Sequence, residues 1–242
     1  MLSALALCPP PGRAVGWRAM DRPYVLLSCA ISLDGYLDDA SGQRLVISGA
    51  QDLDRVDSLR ASSDAILIGA GTVRADNPRL LLRSAARREA RAARGATPDP
   101  VRVVISGSGE LDPRARLFSP GHGRPLVYVS AGRAKDARRR LGGVAEVIEA
   151  GEPVELAGVL ADLARRGVGR LMVEGGTSVL TAFLACGLAD ELSLAIAPFF
   201  VGDSRAPRFT GDGQFPWNAA RPARLVSADR AGEVAVLTYR LS

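Results

Sequence analysis

The stretch AILIGAGTVRADNPRLLLR, residues 65–83, decides how the rest of the chain is read. Ala65 to Ile68 is a short unbroken apolar run, the pattern of a strand buried on both faces. It opens onto Gly69-Ala70-Gly71-Thr72. In an open α/β sheet, ligands sit outside the carboxyl ends of the strands, so a strand running into glycines marks a candidate site. The dinucleotide fingerprint does not fit. Its third glycine is missing, the loop is not on the opening strand, and no acidic residue ends a second strand about 20 positions on. Alone, this GxG reads as a tight turn. It has company: Thr72, Asp76, Asn77 and Arg83 follow in the same segment. An Arg clamps phosphate in bidentate fashion and a Thr hydroxyl donates to one. Asp76 beside basic residues is more often a turn cap or an ion-pair partner than a catalyst.

Outward from this stretch, strands and helices alternate. Tyr24 to Ile31 reads as a buried strand and SLDG as the turn after it. SGAQDLDRVDSLRA reads as a helix, with Ser48 as N-cap and Leu53, Val56 and Leu59 on its apolar face. VRVVIS (101–106) and PLVYVS (125–130) read as strands, residues 133–141 as a basic helix, and VAEVIEA as a further strand. Residues 154–166 are helical, with Leu156, Leu160 and Leu163 on one face and Gly167 as the stop. RLMVEGG is a strand, Thr177 to Cys186 a helix, and DELSLAIAPFFVG a long strand. ARLVSADR and EVAVLTYRL, joined at Ala231-Gly232, predict a closing hairpin. The expected fold is α/β: a mainly parallel central sheet flanked by helices, with a C-terminal antiparallel hairpin.

The 242 residues, 47% hydrophobic, suffice for one sizeable core. Residues 21–242 read as a single domain. Residues 1–20, with three consecutive prolines, read as a disordered or mis-assigned extension, with Met20 as a candidate start. The net charge of +5 favours anionic ligands without choosing among them. Aromatic residues are 5% of the chain and do not interleave with Arg, which argues against a single-strand nucleic-acid platform. The clusters Arg83–Arg94 and Arg138–Arg140 read as solvated faces or loops. Cys8, Cys29 and Cys186 are far apart and read as reduced thiols of a cytoplasmic protein. One His, His122 in a loop, leaves neither a metal site nor a deaminase zinc signature, and no segment has membrane-spanning length without charge.

A second glycine loop, Glu174-Gly175-Gly176-Thr177-Ser178, lies between a strand and a helix. Backbone N–H groups at a helix N-terminus form an anion site, and Glu174 at the strand end is placed for sugar hydroxyls. Helix capping by Thr177 accounts for the same residues equally well.

Together, YVLLSCAISLDGYL (24–37), LRASSDAILIGAGTVRADNPRLLLR (59–83) and LMVEGGTSVLTAFLACGLADELSLAIAPFFVG (171–202) resemble the reductase domain of riboflavin biosynthesis. That domain is the C-terminal half of bacterial bifunctional pyrimidine deaminase–reductases, occurs also as a free-standing enzyme, and has the dihydrofolate-reductase-like fold. The resemblance implies NADPH-dependent reduction at ribose C1′ of a ribosylaminopyrimidine 5′-phosphate, in a cytoplasmic homodimer. It implies cofactor contacts from Ile31, Thr72, Asp76, Ser106, Gly175, Gly176, Thr177, Ser178, Val179 and Leu180. It implies substrate contacts from Arg60, Leu80, Arg83 and Glu174, with Glu174 and Asp76 nearest the chemistry. Three positions depart from the family: Ser28 stands where Lys is frequent, Arg44-Leu45-Val46 replaces a Ser-x-Trp pattern, and Ser106 replaces Asp. Arg44 is the candidate to restore the missing positive charge at the substrate. A reductase of another heterocycle, pterin-like or from secondary metabolism, and a non-catalytic nucleotide-binding relative are the alternative readings.

Overall fold

The computed structural model describes residues 22–41 and 45–242. The expected extension over residues 1–20 and the candidate Arg44 lie outside the described residues.

The strands are β1 (Tyr24–Ser32), β2 (Ala65–Gly69), β3 (Val101–Ser106), β4 (Leu126–Val129), β5 (Glu146–Glu149), β6 (Arg170–Gly175), β7 (Glu191–Ala197), β8 (Arg224–Ala231) and β9 (Val234–Arg240). The helices are α1 (Ala50–Ala61), α2 (Ala70–Asp76), α3 (Ala85–Ala93), α4 (Ala134–Leu141), α5 (Leu156–Arg165) and α6 (Thr177–Ala185). The strands form one sheet in the order β5-β4-β3-β2-β6-β1-β7-β9-β8. From β5 to β7 every pairing is parallel, and the β8–β9 hairpin closes the sheet antiparallel against β7.

The unbroken apolar character of β2 is explained by cover on both faces. Ala65 and Leu67 join one core with α5 and α6; Ile66 and Ile68 join another with α2 and α4. Asp64 fastens the amino ends of three strands. Its carboxylate accepts the N–H groups of Gly169 (2.9 Å) and Arg170 (2.8 Å), while its own backbone bonds to Arg170 and Val101.

Several local expectations are corrected. Gly49, not Ser48, occupies the N-cap of α1, with no side-chain cap bond. The buried residues of α1 are Asp52 and Asp57, while Leu53, Val56 and Leu59 are only half-buried. The helix turns its polar face inward, towards a cavity. β7 stops at Ala197, because Pro198 has no N–H to continue the ladder. The hairpin turn is Gly232-Glu233, one residue later than expected, since Ala231 still pairs with Val234. Cys29 is buried and free, but Cys186 stands in a disulfide, against the expectation of reduced thiols.

The first arginine cluster is not a solvated face throughout. Arg91 is buried, and its guanidinium donates to the carbonyls of Thr97 (2.9 Å), Ala61 (2.8 Å) and Ser63 (2.7 Å). It staples α3 to the end of α1. Arg87 pairs with Asp54 and Asp57. Arg138, Arg139 and Arg140 are exposed, as expected of a solvated face.

Replacing Arg91 by Ala leaves the buried Ser63 carbonyl without its donor, at a cost of about 1–3 kcal/mol, while Arg94 still donates to the Ala61 carbonyl. Thermal unfolding of Arg91→Ala is expected about 5–10 °C below wild type, given about 2–4 °C per kcal/mol for a chain of this size. An unchanged midpoint would mean that water replaces the guanidinium at no cost.

Candidate active site

β2 and β6 are neighbours whose connections leave in opposite directions, β2 through α2 and α3 to β3, and β6 through α6 to β7. Such a divergence opens a crevice at the carboxyl ends of the strands. Two close approaches define it. A Cβ on Gly69 would meet Val179 Cγ2 at 2.9 Å, and one on Gly176 would meet Thr72 Oγ1 at 3.0 Å. Gly176 also has φ +68° and ψ 146°, a conformation open in practice only to glycine. The expected glycine loop after β2 is the start of α2, capped by Gly69, and it packs on the EGG turn with each glycine backbone against a side chain of the other segment.

Glu174 owes its position to a bulge. Leu67 pairs with Val173, but Ile68 pairs with Gly175, so Glu174 is the extra residue on β6. A bulge re-aims a side chain out of the alternation of its strand. Here it brings the carboxylate to Arg60 at the end of α1, in a bidentate pair at 2.6 Å through both Nε and Nη2. Both side chains are largely buried, 16% and 13% exposed. Burial disfavours the charge on Arg60, but Glu174 outweighs it and raises the guanidinium's pKa.

Three cavities share these walls. The largest, about 670 Å³, is lined by Thr72, Asp76, Arg83, Glu174, Gly176 and Thr177 among others. It opens at Gly69, Gly71, Ser178 and Val179 towards a second, of about 480 Å³, at the ends of β3 and β4. That one is lined by Arg74, Ser106, Ser108, Ser130, Arg133 and Glu152. The third, about 180 Å³, lies over α1, with Asp52, Arg55, Arg60, Leu80, Arg83 and Glu174 in its lining. Thr72, Asp76, Arg83 and Glu174 line both the first and the third, so they form a wall common to two compartments. Cys29 lines both as well; burial, against the opposing charge of Arg55, pushes its thiol up to about 12.

The Arg83 segment is anchored from behind. Asp57 accepts the N–H groups of Arg83 (2.7 Å) and Ser84 (3.2 Å). Burial works against that carboxylate, but these N–H groups and Arg87 hold its pKa below the ordinary range. The SLDG turn is fixed likewise. The Asp34 carboxyl, despite a desolvation cost, is held down to about 2 by the Ser32 hydroxyl and the N–H groups of Val201 and Gly202.

Of the residues proposed from sequence, Thr72, Asp76, Leu80, Arg83, Ser106, Glu174 and Gly176 to Val179 line these cavities, and Arg60 lines the smallest. Ile31, Gly175 and Leu180 do not; Leu180 is fully buried in the core beneath α6. Thr177 does not cap α6. It is the first helical residue, and its hydroxyl donates to the Arg208 carbonyl at 2.5 Å. Sequence reasoning missed Asp52, Arg55, Arg74, Ser108, Ser130 and Arg133. Only Arg74 among the missed residues carried a signal, since it sits inside the opening motif.

An open α/β sheet with one wall shared by two compartments has room for two ligands side by side. Comparison with known proteins narrows this. Residues 23–237 match the family model for the RibD C-terminal domain, and the chain belongs to that family. It is 40% identical over 222 residues to the 2,5-diamino-6-ribosylamino-4(3H)-pyrimidinone 5′-phosphate reductase of Archaeoglobus fulgidus, covering 91% of this chain and 99% of that one. It is 34% identical to the riboflavin biosynthesis protein RibD of Bacillus amyloliquefaciens over 79% of this chain and 50% of that one. The pyrimidine reductase-like protein of Corynebacterium diphtheriae superposes with a TM-score of 0.79 at 25% identity, over 92% of this chain and 93% of that one.

Gly176→Ala tests the loop contact. The strained φ costs about 1–3 kcal/mol. The unfolding midpoint is expected to fall by about 5 °C in a thermal melt. No loss would mean that the loop relaxes away from Thr72.

Proposed function

We propose that the chain reduces a ribosylaminopyrimidine 5′-phosphate to its ribitylamino counterpart in riboflavin biosynthesis, with NADPH as reductant. The observation that carries the reading is the wall of Thr72, Asp76, Arg83 and Glu174 shared by two compartments, in a chain of this family. Residues 21–242 act as one reductase domain, a reading supported by the single sheet that runs through it.

The residues present suit a phosphorylated dinucleotide. The first and second cavities join across the N-terminus of α6, where backbone N–H groups favour a pyrophosphate. At the far end stand Arg74, Arg133 and three serines, one of which, Ser130, is buried with an unpartnered hydroxyl. Two guanidiniums and an unused hydroxyl suit a further phosphate group, which supports NADPH over NADH. When bound, the nicotinamide supplies the hydride that adds to C1′ of the ring-opened imine, while a proton goes to its nitrogen. Glu174, held rigid by Arg60, accepts hydrogen bonds from substrate hydroxyls. Arg83, with its backbone fixed by Asp57, offers a guanidinium to the substrate phosphate. Asp76 lies on the shared wall, against both ligands. Closeness of two ligands in a fixed orientation accounts for most of what such an enzyme must provide.

The reading includes a homodimer, supported by exposed Leu225 and Val226 on the edge strand β8. It also places the enzyme in the cytoplasm, where reduced nicotinamide is held. No helix among the described residues is long and apolar enough to cross a membrane.

The test is loss of NADPH absorbance with the diaminopyrimidinone and aminouracil ribosyl phosphates as substrates. Oxidation with either supports the reading, and none with both removes it. Glu174→Gln, which keeps shape and removes charge, is expected to lower kcat by about 10²-fold while NADPH still binds. For the cofactor, Arg133→Ala is expected to raise the NADPH KM about 10–100-fold and leave that for NADH unchanged, since one charge-assisted bond contributes about 1.5–3 kcal/mol. Equal losses for both cofactors would remove the preference for NADPH.

A further inference from the structure

Among the described residues, Asn77 and Leu80 are the non-glycine residues with positive φ, and both lie between α2 and Arg83. Asn77 has a local reason. It caps α2 in the left-handed conformation that Asn tolerates, and its Oδ1 accepts the Arg116 N–H at 2.7 Å. Leu80, at φ +53°, caps no helix. A bulky side chain is strained there, and such strain persists only where the surroundings over-determine it. Leu80 is buried and lines the smallest cavity beside Arg83. Just beyond it, side chains from three elements hold the backbone. Asp99, in the loop before β3, accepts the Leu82 N–H on Oδ1 at 2.9 Å. Arg88 on α3 donates to the Leu82 carbonyl, and Asp57 on α1 takes the N–H groups of Arg83 and Ser84.

Asp99 is buried, and two roles are open to its carboxylate. One is to balance charge. Burial lowers the pKa of Arg91 and of Arg102, and the charge of Asp99 opposes that in both. The other is to hold the chain. Leu80 returns to negative φ only if Leu82 leaves Asp99 or Arg83 leaves Asp57. The contacts favour this second role. The guanidiniums of Arg91 and Arg102 are committed to backbone carbonyls, whereas Oδ1 of Asp99 is committed to Leu82, and Oδ2 faces His122 Nδ1 at 3.2 Å. We propose that Asp99 is a positioning residue: through the Leu82 N–H it keeps the strained Leu80 turn closed, and so keeps the Arg83 guanidinium on the wall where the substrate phosphate binds. What Arg83 binds rests on the proposed function above. Asp99 lines none of the three cavities, so it acts only through the segment it holds.

Two variants separate the roles. Asp99→Asn keeps an oxygen for Leu82 and removes the charge. Asp99→Glu keeps the charge and displaces the oxygens by one C–C bond, about 1.5 Å. Positioning predicts kcat/KM for the ribosyl phosphate within about threefold of wild type in Asp99→Asn and about 10²-fold lower in Asp99→Glu, because a displacement of that size is felt this strongly. The loss is expected in KM and not in kcat, with the NADPH Kd unchanged. The reverse order, equal losses in both variants, or no loss in either overturns the proposal. Arg83→Ala supplies a second check. If Asp99 acts through Arg83, adding Asp99→Glu to Arg83→Ala lowers kcat/KM by no more than about threefold further, and additive losses overturn the proposal. If Asp99→Glu does not fold, wild-type hydrogen exchange decides. The Leu82 and Arg83 amides are expected to exchange as slowly as those of β3, and exchange at the rate of an exposed loop overturns the proposal. If neither ribosyl phosphate is reduced, the proposed function fails, and calorimetry with ribose 5-phosphate then decides the role of Asp99. Binding weakened in Arg83→Ala and Asp99→Glu but kept in Asp99→Asn supports it; equal binding by all four proteins, or none by wild type, overturns it.

Discussion

The close approach of the β2 and β6 loops governs the rest of this molecule. Gly69 and Gly176 leave no room for a side chain against Val179 and Thr72. At each glycine the backbone therefore packs directly against a side chain of the facing segment. Because the helices after β2 and β6 then diverge, a crevice opens beside the contact instead of a filled core. The bulge belongs to the same constraint. One extra residue on β6 lets the strand reach the loop and swings Glu174 out of the alternation to face Arg60. Position of the carboxylate, of the anion-binding helix end and of the opening motif all follow from this single contact.

The protein buries charge against fixed partners, either an opposite charge or converging backbone groups. Arg60 meets Glu174, Asp57 meets Arg83 and Ser84 backbone together with Arg87, and Arg91 meets three carbonyls. Breaking such an arrangement on one side leaves a buried charge uncompensated, which is far more costly than the pair is favourable. These contacts act mainly to hold side chains in one geometry. Against that background, one carboxylate oxygen of Asp52 and the hydroxyl of Ser130 are buried without a partner.

Periodicity exposed the strands well, because a strand buried on both faces must be apolar at every position. β1, β2, β3 and β6 lie where their apolar runs place them. α1 was legible as a helix but not as to its facing. Its leucines and valine have the spacing of a core stripe, while the helix in fact turns Asp52 and Asp57 inward. The pattern assumes that what a helix faces is apolar, and a ligand cavity breaks that assumption. Arg91 misled for a related reason. An arginine in a run of arginines looks solvated, and only the carbonyls of Ala61, Ser63 and Thr97 converging on it make it a staple.

By itself the sequence determined that strands alternate with helices, that two strands run into glycines, and that Thr72, Asp76, Arg83 and Glu174 lie close to those glycines along the chain. Local propensity and motif spacing are properties of the chain and are read from it directly. The tertiary structure alone decided that β6 inserts between β1 and β2, placing residues about 100 positions apart on one wall. It alone decided the bulge at Glu174, the pairing of Arg60 with it, and the meeting of Arg74 with Arg133 and Ser130. Each of these depends on which strands become neighbours, and strand order is set by the packing of the whole chain and not by any segment of it.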